Sequence, residues 1–175
     1  KISKLLEPRP KPEVRSSYGN PPSYEIAGIT YKVRPYKVGE KESGIASWYG
    51  RKFHGKRTSS GETFDMYEFT AAHPSMFIPA WVRVTNLKNG KSLVVRVNDR
   101  GPFVDDRIID LSWAAAVRLG YNEIGTAPVR LEVLEAPKKR KKRSKLSKNN
   151  IQKMKKTTPE IIQIIALSDL DRARE

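Results

Sequence analysis

Side chains able to transfer a proton are concentrated in two segments near the middle of the 175-residue chain. The first segment, RTSSGETFDMYEFTAAHP, contains Glu62, Asp65 and His73, and the second, VNDRGPFVDDRIIDLS, contains Asn98, Asp99, Arg100 and Asp110. Cleavage of a glycosidic bond needs a proton donor at the bridging oxygen, and a carboxyl group with a raised pKa can donate at neutral pH. The two segments therefore hold the groups that acid–base cleavage of a glycan requires.

Glu62 and Asp65 are three residues apart, with Gly61 before them and Phe64 between them. A second carboxylate or an aromatic surface nearby raises the pKa of a carboxyl group. By spacing alone, however, such a pair is more often part of a solvated loop than an acid–base site.

Two histidines are present. His73 is either structural, which is the commoner case, or fixes and polarises a neighbouring carboxylate. His54, in FHGKRT, is expected to be a turn or surface residue. Because the chain has no cysteine and no HExxH spacing, we expect neither a metal site nor a cofactor, and the GxSxG motif of serine nucleophiles is also absent.

Asp110 follows an apolar pair at a predicted strand end and precedes Ser112. This position suits a site residue and a helix-capping residue equally well. Asp99 and Arg100 precede a Gly-Pro turn, where we expect them to pair as a structural clamp.

Trp48 and Tyr49 form the aromatic part of the candidate substrate-binding set. Their rings either stack on sugar faces or lie in the core. Asn98 and Arg100 are the polar members of the same set.

The segments WVRVTNL and SLVVRVND are rich in β-forming residues and flank Asn89-Gly90, which favours a tight turn, so they predict a β-hairpin. VRLEVLE predicts a closing strand because its apolar residues alternate. A helix is predicted between Ser112 as its cap and Gly120 as its end, with an apolar stripe of Trp113, Ala116, Val117 and Leu119. Short strands, one short helix and frequent turns indicate a small, mainly β barrel.

Charge separates the barrel from its flanks. The net charge is +4 over residues 1–43, +2 over 44–135 and +9 over 136–175, which together give +15. The nearly balanced middle argues against a nucleic-acid-binding domain. The absence of cysteine excludes disulfides, and no run of eighteen apolar residues is present.

The flanking segments are expected to be simple in structure. Residues 1–24, rich in Pro and Lys, predict an extended, mostly unstructured arm, and 25–43 a lead-in that contains a strand. Residues 136–157 predict a disordered basic linker, and 158–175 an amphipathic helix capped by Thr158 with an isoleucine-rich stripe. The chain starts at Lys1 without an initiator Met or a signal-peptide pattern, which we interpret as processing.

Several ordered motifs resemble the rare lipoprotein A family. They are GIASWYG, FHGKRTSSGETFDMYEFTAAH, WVRVTNLKNGKSLVVRVNDRGPF, RIIDLSWAAAVRLG and GTAPVRLEVL, and they cover about residues 44–134. The resemblance implies a six-stranded double-psi β-barrel and lytic transglycosylase activity on peptidoglycan, with a preference for glycan strands stripped of their stem peptides. It assigns site roles to Glu62, Asp65 and His73, and it relates Asp110 to the acid near the groove of barwin-like and expansin barrels.

The resemblance also implies a mechanism in which Asp65, by preference, protonates the bond between N-acetylmuramic acid and N-acetylglucosamine. Glu62 would share or tune that proton, and His73 would orient the acid. The product would be a 1,6-anhydromuramyl end.

The implied setting is the periplasm, with an outer-membrane lipoprotein precursor at the division septum, an amidase acting upstream and a monomeric protein. Relative to the family, we expect a short basic tail and one helix in place of an SPOR domain, and the sequence contains no cysteine to carry a lipid. Its basic tail either contacts anionic lipid or wall polymer, or is only solvated.

Three other functions stay open at this stage. The first is a non-catalytic, expansin-like wall-binding barrel at the division site, and the second is a division protein whose terminal helix docks on a partner. The third, a basic nucleic-acid-binding module over residues 138–156, is disfavoured by the near-neutral barrel.

Overall fold

Six strands of the chain close into a barrel in the computed structural model, which describes residues 2–104 and 106–136. The barrel strands are β3 (Lys41–Tyr49), β4 (Thr70–Ala72), β5 (Ala80–Asn86), β6 (Ser92–Asp99), β7 (Arg107–Ser112) and β8 (Ala127–Val133). Their order around the barrel is β3-β7-β4-β6-β5-β8, with the β3–β7 and β4–β6 pairs parallel and the other pairs antiparallel. This mixed six-stranded closure confirms the expected double-psi β-barrel class.

The predicted hairpin and closing strand are confirmed. β5 and β6 pair antiparallel on either side of the Asn89-Gly90 turn, and β8 pairs with both β5 and β3. Apolar residues at alternate positions fill the barrel interior, including Val82, Val95 and Leu131, each with no exposed surface. Burial of each such side chain contributes about 1.5–3 kcal/mol, so the alternation determines the strand register.

The helix α1 (Trp113–Leu119) begins and ends as predicted. The Ser112 hydroxyl accepts a hydrogen bond from the Ala115 amide, and Gly120 adopts a left-handed conformation with φ of 76°. The predicted stripe is wrong in part. Trp113 and Val117 are only half buried, and the buried face consists of Ala114, Ala115, Ala116 and Leu119. The small alanines let the helix lie close to the barrel.

The lead-in segment differs from its prediction as well. Instead of one strand entering the barrel, β1 (Ser23–Ile26) and β2 (Ile29–Lys32) form a separate antiparallel hairpin. The barrel then begins at Lys41, three residues before the predicted boundary at Gly44. The hairpin was not predicted because β1 begins at the end of the Pro-rich segment assigned to the unstructured arm, although Ser23–Ile26 alternates polar and apolar residues.

The N-terminal arm lies against the barrel, with one short 3₁₀ turn at Ile2–Lys4. The Glu7 carboxylate accepts the Val94 amide hydrogen at 2.7 Å, and the Lys11 carbonyl accepts the Trp81 indole hydrogen at 3.0 Å. Asn20 exchanges two hydrogen bonds with the Ile78 backbone. Extended structure was expected for this arm, but these contacts were not.

Residues 137–175 lie outside the described part of the chain, and with them the predicted basic linker and terminal helix. None of the helices within residues 2–104 and 106–136 has the length and hydropathy needed to cross a bilayer.

Candidate active site

A cavity of about 300 Å³ opens beside β7, at the end of the barrel where β3, β4 and β6 terminate. The lining residues include one carboxylate on β7, a second at the end of β6, two arginines and three aromatic rings: Asp110, Asp99, Arg100, Arg107, Tyr49, Phe53 and Phe103. Strand pairing places Asp110 opposite Ala72 of β4 and Ser47 of β3, so its position is set from both sides.

Asp110 is a mostly buried carboxyl group in this cavity. Its Oδ1 is inaccessible to water and has no hydrogen-bond partner among the described residues, and Oδ2 lies 3.4 Å from Arg107 Nη2. Desolvation raises the pKa of Asp110, and the nearby Arg107 charge opposes this rise only in part. A carboxyl group in this state keeps its proton to higher pH than an exposed aspartate, which suits it to donate one.

Tyr49 provides an apolar wall on the same cavity. Its ring stacks on Phe64 with a centroid distance of 4.3 Å and meets Phe53 edge-on. Burial raises the pKa of the Tyr49 phenol. Trp48, by contrast, packs against the core and donates its indole hydrogen to Asn122. Of the two aromatic candidates, the structure brings only Tyr49 into the cavity.

Asp99 and Arg100 are both tied into the framework, but they do not clamp each other through their side chains. Asp99 Oδ1 accepts hydrogen bonds from the Ser59 amide, the Ser59 hydroxyl and the Arg100 amide. The Arg100 guanidinium donates instead to the carbonyls of Gly19, His73 and Met76 and to Asn20. The expected ion pair is therefore replaced by two separate sets of bonds, because the guanidinium lies among backbone carbonyls.

Glu62 is held as a carboxylate beside β6. Arg96 donates two hydrogen bonds to it, at 2.6 and 2.8 Å, and Asn98 donates a third at 2.8 Å. The hydrogen bonds from Arg96 lower the pKa of Glu62, and the bond from Asn98 acts in the same direction. Glu62 is thus suited to remain ionised rather than to donate a proton.

Asp65 lies in the loop before β4, in surroundings that differ from those of Asp110 and Glu62. Its Oδ1 accepts the Tyr67 amide hydrogen at 2.8 Å and is 3.6 Å from His54 Nδ1, and both side chains are about 44% exposed. His54 itself accepts the Met66 amide hydrogen, as suits the turn residue that the sequence predicts. Asp65 is not among the residues that line the Asp110 cavity.

His73 is buried, and its ring is hydrogen-bonded to neither Asp65 nor Glu62. Its Nδ1 accepts the amide hydrogens of Ser75 and Met76, so Nε2 carries the ring proton and donates to Glu42 at 3.3 Å. The bond from His73 lowers the pKa of Glu42. The structure therefore brings His73 to Glu42 and not to Asp65 or Glu62.

Three charged residues near these groups were absent from the sequence prediction: Arg96, Arg107 and Glu42. Arg96 and Asn98 are two apart on β6 and so share one face, a signal that could have paired them with Glu62. Arg107 lies three residues before its partner Asp110 on the same strand, a spacing that could have paired them, whereas Glu42 offers no local signal because its partner His73 is 31 residues away. Within residues 2–104 and 106–136, no cluster of His, Asp and Glu is arranged to hold a metal ion.

Comparison with known families identifies this barrel. Residues 41–131 match the model of the double-psi β-barrel family described as lytic transglycolase, and these residues are more than half of the chain. The chain belongs to the lytic transglycolase family. The matched region contains the Asp110 cavity, Glu62 with its partners, and Asp65.

Several relatives in the family carry the name endolytic peptidoglycan transglycosylase RlpA. The chain is 50% identical to the one from Vibrio cholerae over 158 residues, which cover 90% of this chain and 57% of the relative. Identity is 51% over 138 residues with the one from Pseudomonas aeruginosa and 56% over 110 residues with the one from Neisseria meningitidis. These alignments cover 77% and 63% of this chain, and 39% and 46% of those relatives. The chain thus spans about half the length of the curated relatives it matches.

Solved structures with a related backbone include a Streptomyces papain inhibitor, at 24% identity and a TM-score of 0.47, which covers 56% of this chain and 97% of that one. An expansin of Clavibacter michiganensis aligns at 19% identity with a TM-score of 0.42, over 56% of this chain and 52% of its own.

Proposed function

We propose that this chain is an endolytic lytic transglycosylase that cleaves the glycan strands of peptidoglycan. The observation that carries the proposal is Asp110, a carboxyl group with a raised pKa in an aromatic-lined cavity. Membership of the lytic transglycolase family and the names of the RlpA relatives support the choice of substrate.

Asp110 serves as the proton donor in this proposal, in place of the Asp65 favoured by the sequence. Asp65 is half exposed and lies outside the cavity, and Glu62 is held ionised by Arg96. Only Asp110 combines burial, a raised pKa and access to a cavity of suitable size.

In the proposed reaction, Asp110 acts first as the general acid and then as the general base. The Asp110 carboxyl group protonates the oxygen between N-acetylmuramic acid and N-acetylglucosamine, and the bond from that oxygen to the muramyl anomeric carbon breaks. The resulting carboxylate then takes the proton of the muramyl 6-hydroxyl, whose oxygen bonds to the anomeric carbon. The products are a free 4-hydroxyl on N-acetylglucosamine and a 1,6-anhydromuramyl end, and no water is consumed.

The neighbouring residues have supporting roles. The Arg107 guanidinium, next to Asp110 Oδ2, stabilises the carboxylate that forms when the proton has left. Glu62 and Asn98 are proposed to bind the strand outside the cavity, and His73 holds the loop after β4 in place through Glu42.

The finer features of the function rest on the family resemblance. We propose a preference for strands without stem peptides, and a location in the periplasm or cell-wall space, where peptidoglycan lies. A lipid-anchored precursor and action at the division septum, after an amidase, belong to the same proposal.

Mass spectrometry of amidase-stripped and intact peptidoglycan tests the activity. We expect anhydromuramyl products from the stripped glycan, and a rate reduced by about 10²–10⁴-fold in Asp110→Asn, the usual contribution of a general acid. The variant should fold at least as stably at pH 7, because it removes a carboxyl group whose ionisation is opposed by burial.

Asp65→Asn serves as the matched control, since it also neutralises one acid and Asp65 lies outside the cavity. Loss of product in Asp65→Asn with full activity in Asp110→Asn would return the acid role to Asp65. Binding to glycan without anhydromuramyl product from the unsubstituted chain would support the non-catalytic wall-binding barrel instead.

A further inference from the structure

The β1–β2 hairpin presents an apolar face beside the Asp110 cavity. Tyr24 pairs with Tyr31 and Ile26 with Ile29 across the two strands, so these four side chains share one face. The other face is polar, with Ser23, Glu25, Thr30 and Lys32. The two isoleucines are 39% and 49% exposed, so the apolar face is only partly covered.

Phe103 completes this face from the barrel side. Its ring meets Tyr31 edge-on at 5.3 Å and Tyr24 edge-on at 6.0 Å, and the two tyrosine rings stack at 5.4 Å. The Tyr24 hydroxyl donates to the Pro74 carbonyl at 2.8 Å, which fixes the hairpin to the barrel. We call Tyr24, Tyr31 and Phe103 the aromatic platform.

A groove of about 280 Å³ lies beside Tyr24 and Phe103 of the platform and borders the Asp110 cavity, whereas Tyr31 packs on these two rings without lining the groove. Tyr24, Ile26 and Ser59 line the groove but not the cavity, whereas Arg100 and Phe103 line both. Each space is close to the lower size limit of small-ligand sites, so together they accommodate consecutive units of a chain-like ligand.

We propose that the aromatic platform and its groove form a glycan subsite, which binds sugar rings of the strand next to the bond cleaved at Asp110. This proposal rests on the proposed function for the identity of the strand. Sugar rings are the occupant because a polymer held at Asp110 must leave the cavity, and the groove continues it past Phe103. Aromatic rings with an apolar body suit the C–H faces of pyranose rings, and Asp99, which lines the cavity next to Arg100, offers an oxygen to their hydroxyl groups.

Asp99 has an unused acceptor in the cavity beside Arg100. All three hydrogen bonds to its carboxylate go to Oδ1, and Oδ2 has no hydrogen-bond partner among the described residues. The bonds to Oδ1 fix the carboxylate, so Oδ2 is positioned in advance to accept a hydrogen bond from a sugar hydroxyl.

Binding of soluble stripped glycan, as a disaccharide and as a hexasaccharide, tests the subsite by calorimetry. All variants carry Asp110→Asn so that cleavage does not interfere. In this parent, the hexasaccharide should bind more tightly than the disaccharide because it also occupies the groove. Phe103→Leu, which alters both spaces, should weaken hexasaccharide binding by about tenfold, equivalent to about 1.4 kcal/mol. Tyr31→Leu, which removes the ring that stacks on Tyr24, should weaken hexasaccharide binding in the same direction and disaccharide binding by much less.

Phe77→Leu is the matched control, because Phe77 contacts Arg15, lines neither the groove nor the cavity, and, unlike Tyr31, packs on no ring of the platform. Leucine keeps most of the volume of the ring, and melting curves verify folding. Ile26→Ser, at the exposed end of the groove, gives a second measurement if Tyr31→Leu fails to fold, with an expected loss in the same direction.

The outcomes separate the two proposals. Equal hexasaccharide binding by Phe103→Leu and Phe77→Leu, or no gain with length in the parent, overturns the subsite. A gain with length that depends on Tyr31 and Phe103, combined with no anhydromuramyl product from the unsubstituted chain, overturns the transglycosylase activity and leaves the subsite standing.

Discussion

At the scale of single residues, three acidic side chains of this barrel differ because their neighbours differ. Glu62 accepts three hydrogen bonds from Arg96 and Asn98, and Asp65 is half exposed beside His54. Asp110 is buried with an oxygen that accepts none from the described residues. The local sequence favoured Asp65, whereas the cavity favours Asp110, because pKa depends on neighbours in space.

Arg107 provides a test of this electrostatic interpretation. Ionisation of Asp110 removes the proton that the mechanism requires, so the rate should fall as pH rises through the pKa of Asp110. The Arg107 charge lowers that pKa, and Arg107→Gln should therefore move the fall in rate to higher pH. The pH dependence of kcat/KM on stripped glycan measures this shift.

Arg51→Gln, which removes an exposed arginine from the 3₁₀ turn Arg51–Phe53, is the control and should leave the profile unchanged. An unchanged profile in Arg107→Gln, or a shift to lower pH, would show that a group other than Asp110 governs the alkaline fall in rate.

At the scale of elements, the sequence predicted those whose determinants are local. The β5–β6 hairpin has its turn dipeptide, α1 has its Ser112 cap and Gly120 end, and β8 has its alternation. The parallel β3–β7 and β4–β6 pairs could not be predicted from the residues alone, since their partners are far apart in sequence. The same long-range pairing positions Asp110, so this part of the site was also beyond local patterns.

The N-terminal arm shows a second limit of local patterns. Its Pro-rich composition predicts extended structure correctly but does not reveal the barrel groups to which it binds. Ordering each residue of an arm costs about 1–2 kcal/mol in backbone entropy, so the bonds from Glu7, Lys11 and Asn20 must offset that cost.

Glu7→Ala tests the contribution of the arm to stability. The variant leaves the Val94 amide without its carboxylate partner, and Val94 is only 4% exposed, so the free energy of unfolding should fall by about 1–3 kcal/mol. Denaturant unfolding at neutral pH measures the change. Glu25→Ala, on the exposed hairpin, is the control, and an equal effect of both variants would mean that the arm does not stabilise the barrel.

At the scale of the whole molecule, most of the net positive charge lies outside the barrel. The barrel and its N-terminal arm lie in the first of the chain's two units, which ends before residue 140. The segment 44–135 carries a net charge of +2, whereas 136–175 carries +9. We therefore propose that the first unit carries out glycan cleavage, and that attraction to anionic lipid or wall polymer comes from the basic segment.

Removal of residues 140–175 should separate these two properties. The truncated chain should keep its melting temperature and its rate on stripped glycan, and should lose most of its affinity for vesicles containing anionic lipid. Each basic residue near such a surface contributes about 1 kcal/mol, so the loss should also be seen as reduced sensitivity to salt. Cosedimentation at two salt concentrations measures it, with neutral vesicles as the control. Equal vesicle binding by both chains would contradict the assignment.

One guanidinium joins the arm to the site. Arg96 donates to Glu62 and, through its other edge, to Glu13 of the arm, at distances of 2.5–2.9 Å. A change at position 96 would leave two carboxylates close together without their shared cation. Positions 13, 62 and 96 are therefore expected to be inherited as a unit, and a lineage that replaces the arginine should have replaced both acids as well.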